Sequence, residues 1–104
     1  MYNANMEVKT LNEILLVLES ELPNLRNQHH VKSLGLFGSY VKDLQDHESD
    51  LDILVTFNKV PGLFGFIGLE NQLSQLLGIK VDLVMEDALK PTIAERIRDE
   101  VIRI

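Results

Sequence analysis

Three aspartates occupy positions that the folding of a small domain would not require. Asp50 and Asp52 flank Leu51 at the start of an apolar run, and Asp82 interrupts the apolar segment 81–84. Because side chains alternate across a strand, Asp50 and Asp52 should project from the same face. A charged residue within an apolar strand is rarely buried unless it is paired or binds a metal. If the two strands are neighbours, three carboxylates can converge, and their oxygens suit Mg²⁺.

A second group of residues could hold an anion. Gly38-Ser39 follows directly after another apolar run, and glycine allows both a tight turn and close approach of a ligand to the backbone. If a helix begins there, its free N–H groups and positive dipole end would face the anion. Ser39 adds a hydroxyl donor, and Lys42 would lie on the same helical face and could neutralise a phosphate oxygen. We therefore predict Gly38, Ser39 and Lys42 as nucleotide-binding residues.

A phosphate cradle beside clustered carboxylates is what nucleotidyl transfer needs. Metal ions bridge the triphosphate, stabilise charge on the reacting phosphorus and lower the pKa of the attacking hydroxyl. Two-metal sites hold their ions roughly 3.5–4 Å apart, which suits an Asp50/Asp52 pair that bridges both ions with Asp82 on one of them. We predict these three aspartates as the catalytic residues and as the ligands of two Mg²⁺ ions.

The apolar pattern predicts an alternation of helices and strands that would position these residues. Helical spacing predicts a first helix from about Glu7 to Leu22, ended by Pro23-Asn24. A later helix should end at Gly78, and a last helix should begin at Pro91. The predicted strands are residues 31–37, 51–57 and 81–85. This order predicts an α/β fold, a small mixed sheet packed with helices, in a single domain over residues 1–104.

Other residue patterns have plainer interpretations. The last predicted helix should place Ile93, Ile97 and Val101 on its inner face. Three glycines recur at a spacing of three in the helix after the second strand. The simplest interpretation is a helix packed closely on the sheet, and the alternative is a docking surface for a partner. The chain also has three histidines, which are interpreted as loop residues because they lack the spacing of a zinc site. The glycines are Gly62, Gly65 and Gly68, and the histidines are His29, His30 and His47.

Composition narrows the class of protein. The chain has 104 residues, a formal net charge of −6 and no cysteine. Its acidity argues against direct nucleic-acid binding but not against a nucleotide, because metal ions can neutralise both carboxylates and phosphates. The lack of cysteine excludes disulfides and thiolate chemistry and fits the cytoplasm. Segment 1–13 has no apolar core of a signal peptide, and the apolar stretch 60–69 is too short to span a bilayer, so we expect no membrane association.

The spacing of these motifs resembles a known signature. Gly38-Ser39, ten intervening residues and Asp50-Leu51-Asp52 resemble the Gly-Ser-x(10)-Asp-x-Asp signature of the polymerase-β-like nucleotidyltransferase superfamily. The flanking apolar residues match too, and segment 80–84 resembles the strand that carries the third carboxylate. The continuation 87–91, followed by a helix that ends at the C-terminus, is similar to the small MNT proteins. These are the antitoxins of HEPN–MNT toxin–antitoxin pairs.

The resemblance implies a fold and a reaction. The fold would be the nucleotidyltransferase core, and the reaction would transfer AMP from ATP to a tyrosine hydroxyl of the HEPN ribonuclease toxin, with release of pyrophosphate. Gly38 and Ser39 would hold the triphosphate. Asp50 and Asp52 would bind both metal ions, and Asp82 would bind the catalytic ion and help to deprotonate the acceptor.

The sequence also departs from the pattern. Many members have a basic residue just after Gly-Ser and a glycine three positions further on, where this chain has Tyr40 and Asp43, and Lys42 stands where arginine is common. These departures support the alternative of an antitoxin that neutralises its toxin by binding alone. A second alternative keeps the chemistry but transfers the nucleotide to a small hydroxylated molecule. A homo-oligomer also stays open, whereas a kinase-type P-loop is excluded because its motif is absent.

Overall fold

The computed structural model describes residues 10–46 and 48–104. The predictions for a helix start near Glu7 and for His47 lie outside the described residues. Three α-helices, four strands and one short 3₁₀ turn follow one another along the described chain. They are α1 (Leu11–His29), β1 (Val31–Phe37), β2 (Leu51–Phe57), α2 (Leu63–Leu77), β3 (Val81–Met85), the 3₁₀ turn Glu86–Ala88, α3 (Pro91–Glu100) and β4 (Ile102–Arg103).

The four strands form one mixed sheet in the order β3-β2-β1-β4. β1 pairs antiparallel with both β2 and β4, whereas β2 and β3 run parallel. A parallel pair needs a long crossover connection, and α2 supplies it. The α/β class with a small mixed sheet is therefore confirmed. β2 lies inside the sheet, which agrees with its nearly continuous apolar sequence.

The core lies between the inner strands and the first two helices. α1 and α2 contact each other, and they contact β1 and β3 respectively. Burial of each large aliphatic side chain contributes about 1.5–3 kcal/mol, so this layer holds the sheet in place. Its fully buried members include Ile14, Leu18, Leu25, Leu34, Leu36, Leu51, Ile53, Leu69, Leu73 and Leu77.

The first helix is longer than predicted. Pro23 does not end it, and α1 continues to His29 before His30 caps it in the left-handed conformation, with φ 57°. Leu22 and Leu25, on either side of the proline, are both buried. Their burial contributes about 3–6 kcal/mol, which offsets the ~3 kcal/mol penalty of an internal proline. The predicted break at Pro23 was wrong because local propensity was outweighed by packing.

The C-terminal segment also departs from prediction. α3 ends at Glu100, and the following residues form the short strand β4 instead of continuing the helix. β4 pairs with the edge of β1, where unpaired backbone groups would otherwise need other partners. The predicted inner face of α3 was partly wrong: Ile93 is 41% exposed, Val101 lies beyond the helix, and Ala94 is the buried residue.

Gly35 makes the approach of β4 possible. A Cβ atom at this position would collide with Val101 Cγ2, so only glycine lets the C-terminal segment pass this closely over β1. The segment is also held from outside the sheet. Glu86 accepts hydrogen bonds from Arg98 Nε at 2.9 Å and from Arg103 Nη1 at 3.0 Å. This ion cluster connects the 3₁₀ turn, α3 and β4.

The glycine-rich half of α2 faces outward. No atom outside the local chain lies within 4 Å of a Cβ built at Gly62 or Gly68, so the interpretation of close packing on the sheet was wrong for them. Large apolar side chains are exposed beside them, with Leu63 at 71% and Phe64 at 88%. Among the described residues, no helix has the length and apolar character needed to cross a membrane.

Candidate active site

The sheet brings two of the predicted aspartates together. Asp52 pairs in register with Phe37 of β1 and with Asp82 of β3. Residues in register on neighbouring strands project from the same face, so the Asp52 and Asp82 carboxyl groups meet. The two carboxyl groups lie within hydrogen-bonding reach of each other, an interaction that favours the protonated form of Asp52.

Asp52 lies in the most unfavourable electrostatic environment of the site. Its pKa is raised from 3.8 to about 6, first by burial and then by the charges of Asp82 and Asp50. The hydrogen bond to Asp82 and the charge of Glu100 raise it further. Burial and like charges both disfavour the ionised carboxylate, and a nearby cation would reverse that effect. A positively charged ligand would therefore stabilise the ionised form of Asp52.

Asp50 and Asp82 lie less deeply than the sequence suggested. Asp50 pairs loosely with Lys80 at 3.8 Å, and its side chain is 44% exposed. Asp82 is exposed because β3 is an edge strand, with alternate residues turned toward solvent. Within residues 10–46 and 48–104, no three His, Cys, Asp or Glu side chains lie close enough together to hold a metal ion. The structure thus brings Asp52 and Asp82 together and leaves Asp50 nearby, paired with a lysine.

Gly38 joins the proposed cradle to the carboxylates. Its φ is +81°, a conformation that residues with a Cβ rarely adopt. A Cβ at this position would lie 3.0 Å from Asp52 Cγ and would overlap the carboxylate oxygen Oδ2. Glycine is required here both for the backbone conformation and for the space that Asp52 occupies. The two sequence motifs, separated by ten residues, are therefore in direct contact.

A turn, rather than a regular helix, follows Gly38. The N–H groups of Val41 and Lys42 both donate to the Gly38 carbonyl at 3.1 Å, and Leu44 N–H donates to Ser39 at 2.9 Å. The predicted contribution of a helix dipole does not apply to so short a turn. Asp43 has φ 59°, which explains why glycine is common at this position in the family that the sequence resembles.

Tyr40 anchors this turn in the core. Its side chain is only 3% exposed, so it lies beneath the turn and does not cover the site from outside. Burial, followed by the charges of Asp46 and Asp50, raises the pKa of its hydroxyl. Tyr40 therefore stays neutral and holds the Gly38-Ser39 segment against the sheet.

Glu100 is a site residue that the sequence did not reveal. Its Oε1 accepts a hydrogen bond from the Gly38 N–H at 3.3 Å, and its Oε2 lies 3.2 Å from Lys42 Nζ. Lys42 lies in the same turn as Gly38, and its ammonium group pairs with this carboxylate of the same chain. Pairing of β4 with β1 brings Glu100 to Gly38, and no pattern in the sequence indicated β4. Ser39 is half-buried beside Gly38.

Comparison with known proteins identifies related chains over almost the whole length. The nucleotidyltransferase domain family model matches residues 11–104. The protein adenylyltransferase MntA of Thermococcus cleftensis is 43% identical over 99 residues, which cover 95% of this chain and all of the relative. A relative from Methanocaldococcus jannaschii, provisionally assigned as a protein adenylyltransferase, is 43% identical over 98 residues and covers 93% of this chain.

Solved structures share the fold. A chain provisionally described as a minimal nucleotidyltransferase superposes with a TM-score of 0.78 at 31% identity, covering 92% of this chain and 97% of its own. A toxin–antitoxin complex solved with AMP-PNP contains a chain that matches with a TM-score of 0.66 at 24% identity, covering 88% of this chain and 69% of that one. At that level of identity the second match shows the fold alone.

Proposed function

This chain belongs to the nucleotidyltransferase domain family, and from that premise we propose that it is a protein adenylyltransferase that acts as an antitoxin. It is a nucleotidyltransferase. The proposed donor is ATP, and the proposed acceptor is a tyrosine hydroxyl of a HEPN ribonuclease toxin. The description of its relative of 43% identity supports protein as the acceptor class. The absence of cysteine from the sequence supports a cytoplasmic location.

The contact between Gly38 and Asp52 is the observation that carries the proposal. Gly38 brings its backbone so close to the Asp52 carboxylate that no side chain would fit between them. Phosphates held at Gly38, Ser39 and Lys42 would therefore lie next to the aspartates. Transfer of a nucleotidyl group depends on positioning and on charge neutralisation, and this arrangement supplies the positions for both.

The proposed reaction exchanges one phosphate bond for another. The tyrosine oxygen forms a bond to the α-phosphorus of ATP, and the bond from that phosphorus to the bridging oxygen of pyrophosphate breaks. The hydroxyl proton passes to the Asp82 carboxylate, which is exposed and can release it to solvent. Pyrophosphate leaves from the side of the Gly38-Ser39 turn.

The aspartates fit divalent cations by their chemistry. Asp52 and Asp82, which the sheet brings together, would hold Mg²⁺ first, because carboxylate oxygens are the ligands that Mg²⁺ prefers. Asp50 would complete the proposed site for two ions once its side chain leaves Lys80. The fit rests on the crowding of negative charge, which raises the pKa of Asp52 to about 6 and which a cation would relieve. When bound, the ions neutralise the triphosphate and lower the pKa of the acceptor hydroxyl. Asp52 must be ionised to serve as a ligand, so a proton competes with the metal ion for this carboxylate.

One observation favours a second candidate, neutralisation of the toxin by binding alone. The first turns of α2 expose Leu63 and Phe64, with Ile67 40% exposed one turn on. Exposed apolar groups of this size are typical of surfaces that contact another protein. Contact and catalysis are compatible, so the experiment must separate them by the effect of the aspartates on toxin activity.

The test is transfer of label from ATP. The purified protein is incubated with ATP labelled with ³²P at the α-phosphate, Mg²⁺ and a HEPN-family toxin, and the modified residue is located by mass spectrometry. We expect labelled tyrosine with the wild type and with Asp87→Ala, an exposed acid beyond β3. We expect ~100-fold less label with Asp50→Ala or Asp52→Ala.

Toxin ribonuclease activity in the same mixtures decides between the candidates. If Asp50→Ala and Asp52→Ala proteins neutralise the toxin as well as the wild type, binding alone explains the antitoxin role. If label appears on no protein but on an added small hydroxylated compound, the proposed acceptor class is wrong. Circular dichroism of each variant verifies that the fold is retained.

A further inference from the structure

Glu100 occupies the same donors that the nucleotide is proposed to use. Its carboxylate accepts from the Gly38 N–H and pairs with Lys42, so both of its oxygens are engaged by the cradle. A carboxylate and a phosphate oxygen are alike in charge and in their demand for donors. The Gly38 N–H has one hydrogen, so the two anions must compete for it.

The fold places Glu100 there by strand register. Leu36 pairs with Ile102, and Gly38 and Glu100 lie two residues beyond this pair, just outside β1 and β4, where the Glu100 carboxylate accepts from the Gly38 N–H. Glu100 is also the last residue of α3. A negative charge at the C-terminal end of a helix is unfavourable, and nearby Asp52 makes it more so, since Glu100 contributes to the raised pKa of Asp52. Helix stability alone therefore does not explain an acid at this position.

The contacts are weak enough to be exchanged. The Gly38 N–H to Glu100 Oε1 distance of 3.3 Å exceeds the roughly 2.7–2.9 Å of a strong charge-assisted hydrogen bond. The Lys42 side chain is 54% exposed and that of Glu100 is 25% exposed, so solvent and ligands reach the pair. Movement of one glutamate side chain would free both donors without a change in the backbone.

We propose that Glu100 closes the phosphate cradle in the nucleotide-free protein and is displaced by the triphosphate. Glu100 then acts as an intramolecular competitor that lowers the affinity for polyphosphate anions. This inference rests on the proposed use of Gly38 and Lys42 as phosphate donors. It does not require that AMP is transferred, and it needs no particular acceptor.

The test measures binding of tripolyphosphate with Mg²⁺ to the ¹⁵N-labelled protein. Titration by NMR gives the dissociation constant and reports the Gly38 and Lys42 amide resonances directly. We expect Glu100→Gln to bind tripolyphosphate roughly threefold to tenfold more tightly than the wild type, because a competing charge is removed. The matched control is Glu95→Gln, which makes the same charge change on the exposed side of the same helix and should leave the dissociation constant unchanged.

A second variant separates competition from simple charge repulsion. Glu100→Asp keeps the charge but shortens the side chain by one methylene, so the carboxylate no longer reaches both donors. We expect it to bind more tightly than the wild type as well. Equal affinity of Glu100→Asp and the wild type, weaker binding by Glu100→Gln, or no tripolyphosphate binding by any variant would each overturn the proposal.

The same variants distinguish this inference from the proposed function. If Glu100→Gln binds tripolyphosphate more tightly and the wild type transfers no AMP, the proposed competition by Glu100 is supported and the proposed adenylyltransferase activity is refuted. If the wild type transfers AMP and both Glu100 variants bind tripolyphosphate with unchanged affinity, the adenylyltransferase activity is supported and the competition by Glu100 is refuted. Thermal unfolding of each variant verifies that its fold is intact.

Discussion

Two groups of acidic residues in this protein have opposite electrostatic surroundings. At the start of β2, burial and neighbouring acids raise the pKa of Asp52 to about 6. After β3, hydrogen bonds from Arg103 and Arg98 lower the pKa of Glu86 below its ordinary value. Both carboxylates are shielded from solvent to some degree, so burial does not explain the difference. The sign of the neighbouring charge does.

The difference separates a structural acid from a functional one. Glu86 has two arginine partners, and its ion cluster connects three elements of the C-terminal half. Asp52 has mainly acidic neighbours, so its negative charge destabilises the folded state unless a cation is bound nearby. A carboxylate left in such surroundings is a candidate for ligand binding, because folding alone would favour its replacement. Substitutions at the two positions should therefore affect activity and stability in opposite ways.

The largest expected effect is on AMP transfer. Asp52→Asn keeps the size of the side chain but removes the charge, and we expect the transfer rate to fall ~100-fold or more. Glu86→Gln should leave the rate within about threefold of the wild type, because the Glu86 carboxylate is hydrogen-bonded to Arg98 and Arg103 and not to the proposed site residues. Initial rates of label transfer to the toxin measure both. Equal losses in the two variants would refute the division into structural and functional acids.

The glycines provide a second contrast. Gly38→Ala introduces a Cβ at a positive φ and against Asp52, so we expect a loss of about 1–3 kcal/mol in the free energy of unfolding, with loss of transfer. Gly68→Ala lies in α2 with open space around it and should raise the free energy of unfolding by about 0.5–1 kcal/mol. Urea unfolding measures both. A Gly38→Ala protein as stable and active as the wild type would contradict the proposed contact.

Stability at neutral pH should change in opposite directions at the two acids. We expect Glu86→Gln to lower the free energy of unfolding by about 1 kcal/mol, a value reduced because both arginines are partly exposed. Asp52→Asn should raise it by about 1 kcal/mol, after a similar reduction for solvent screening, because repulsion is removed. Urea titrations at pH 7.5 test this pair. Destabilisation by Asp52→Asn would show that its carboxylate contributes to folding.

The smallest effects are in the pH dependence of those differences. The raised pKa of Asp52 means that the folded state holds its proton more tightly, so stability from this group is lost as pH rises from 3.8 to about 6. The gain in free energy of unfolding expected for Asp52→Asn over the wild type should therefore develop between pH 3.8 and about 6 and be absent below pH 3.8. The pKa of Glu86 is lowered, so its contribution is present above about 4.5 and is lost as pH falls.

Unfolding of the wild type and both variants between pH 3 and 7.5 tests these opposite slopes. In the same range, AMP transfer by the wild type at limiting Mg²⁺ should rise with pH, because the raised pKa of metal-free Asp52 lets a proton compete with the ion. A transfer rate that falls through this range would show that the protonated form of Asp52 is the active one.

The sequence by itself determined the features that depend on near neighbours. Continuous apolar runs marked β1 and β2, Gly38-Ser39 indicated a tight turn after β1, and alternation along the chain predicted that Asp50 and Asp52 share one face. The α/β class could be predicted for the same reason, and the Gly-Ser to Asp-x-Asp spacing is read directly from the sequence. These features repeat with the period of a strand or a helix, or belong to a single turn.

Only the tertiary structure decided features that depend on residues far apart in the chain. Packing of Leu22 and Leu25 stabilises the continuation of α1 past Pro23. Pairing with the open edge of β1 stabilises the residues after α3 as the strand β4. The pairing of β4 with β1 brings Glu100 to Gly38, although the two residues lie 62 positions apart in the chain. Local propensities differ by a kilocalorie or so per residue, whereas strand register and core burial act through many contacts at once. No local pattern in the sequence encodes them.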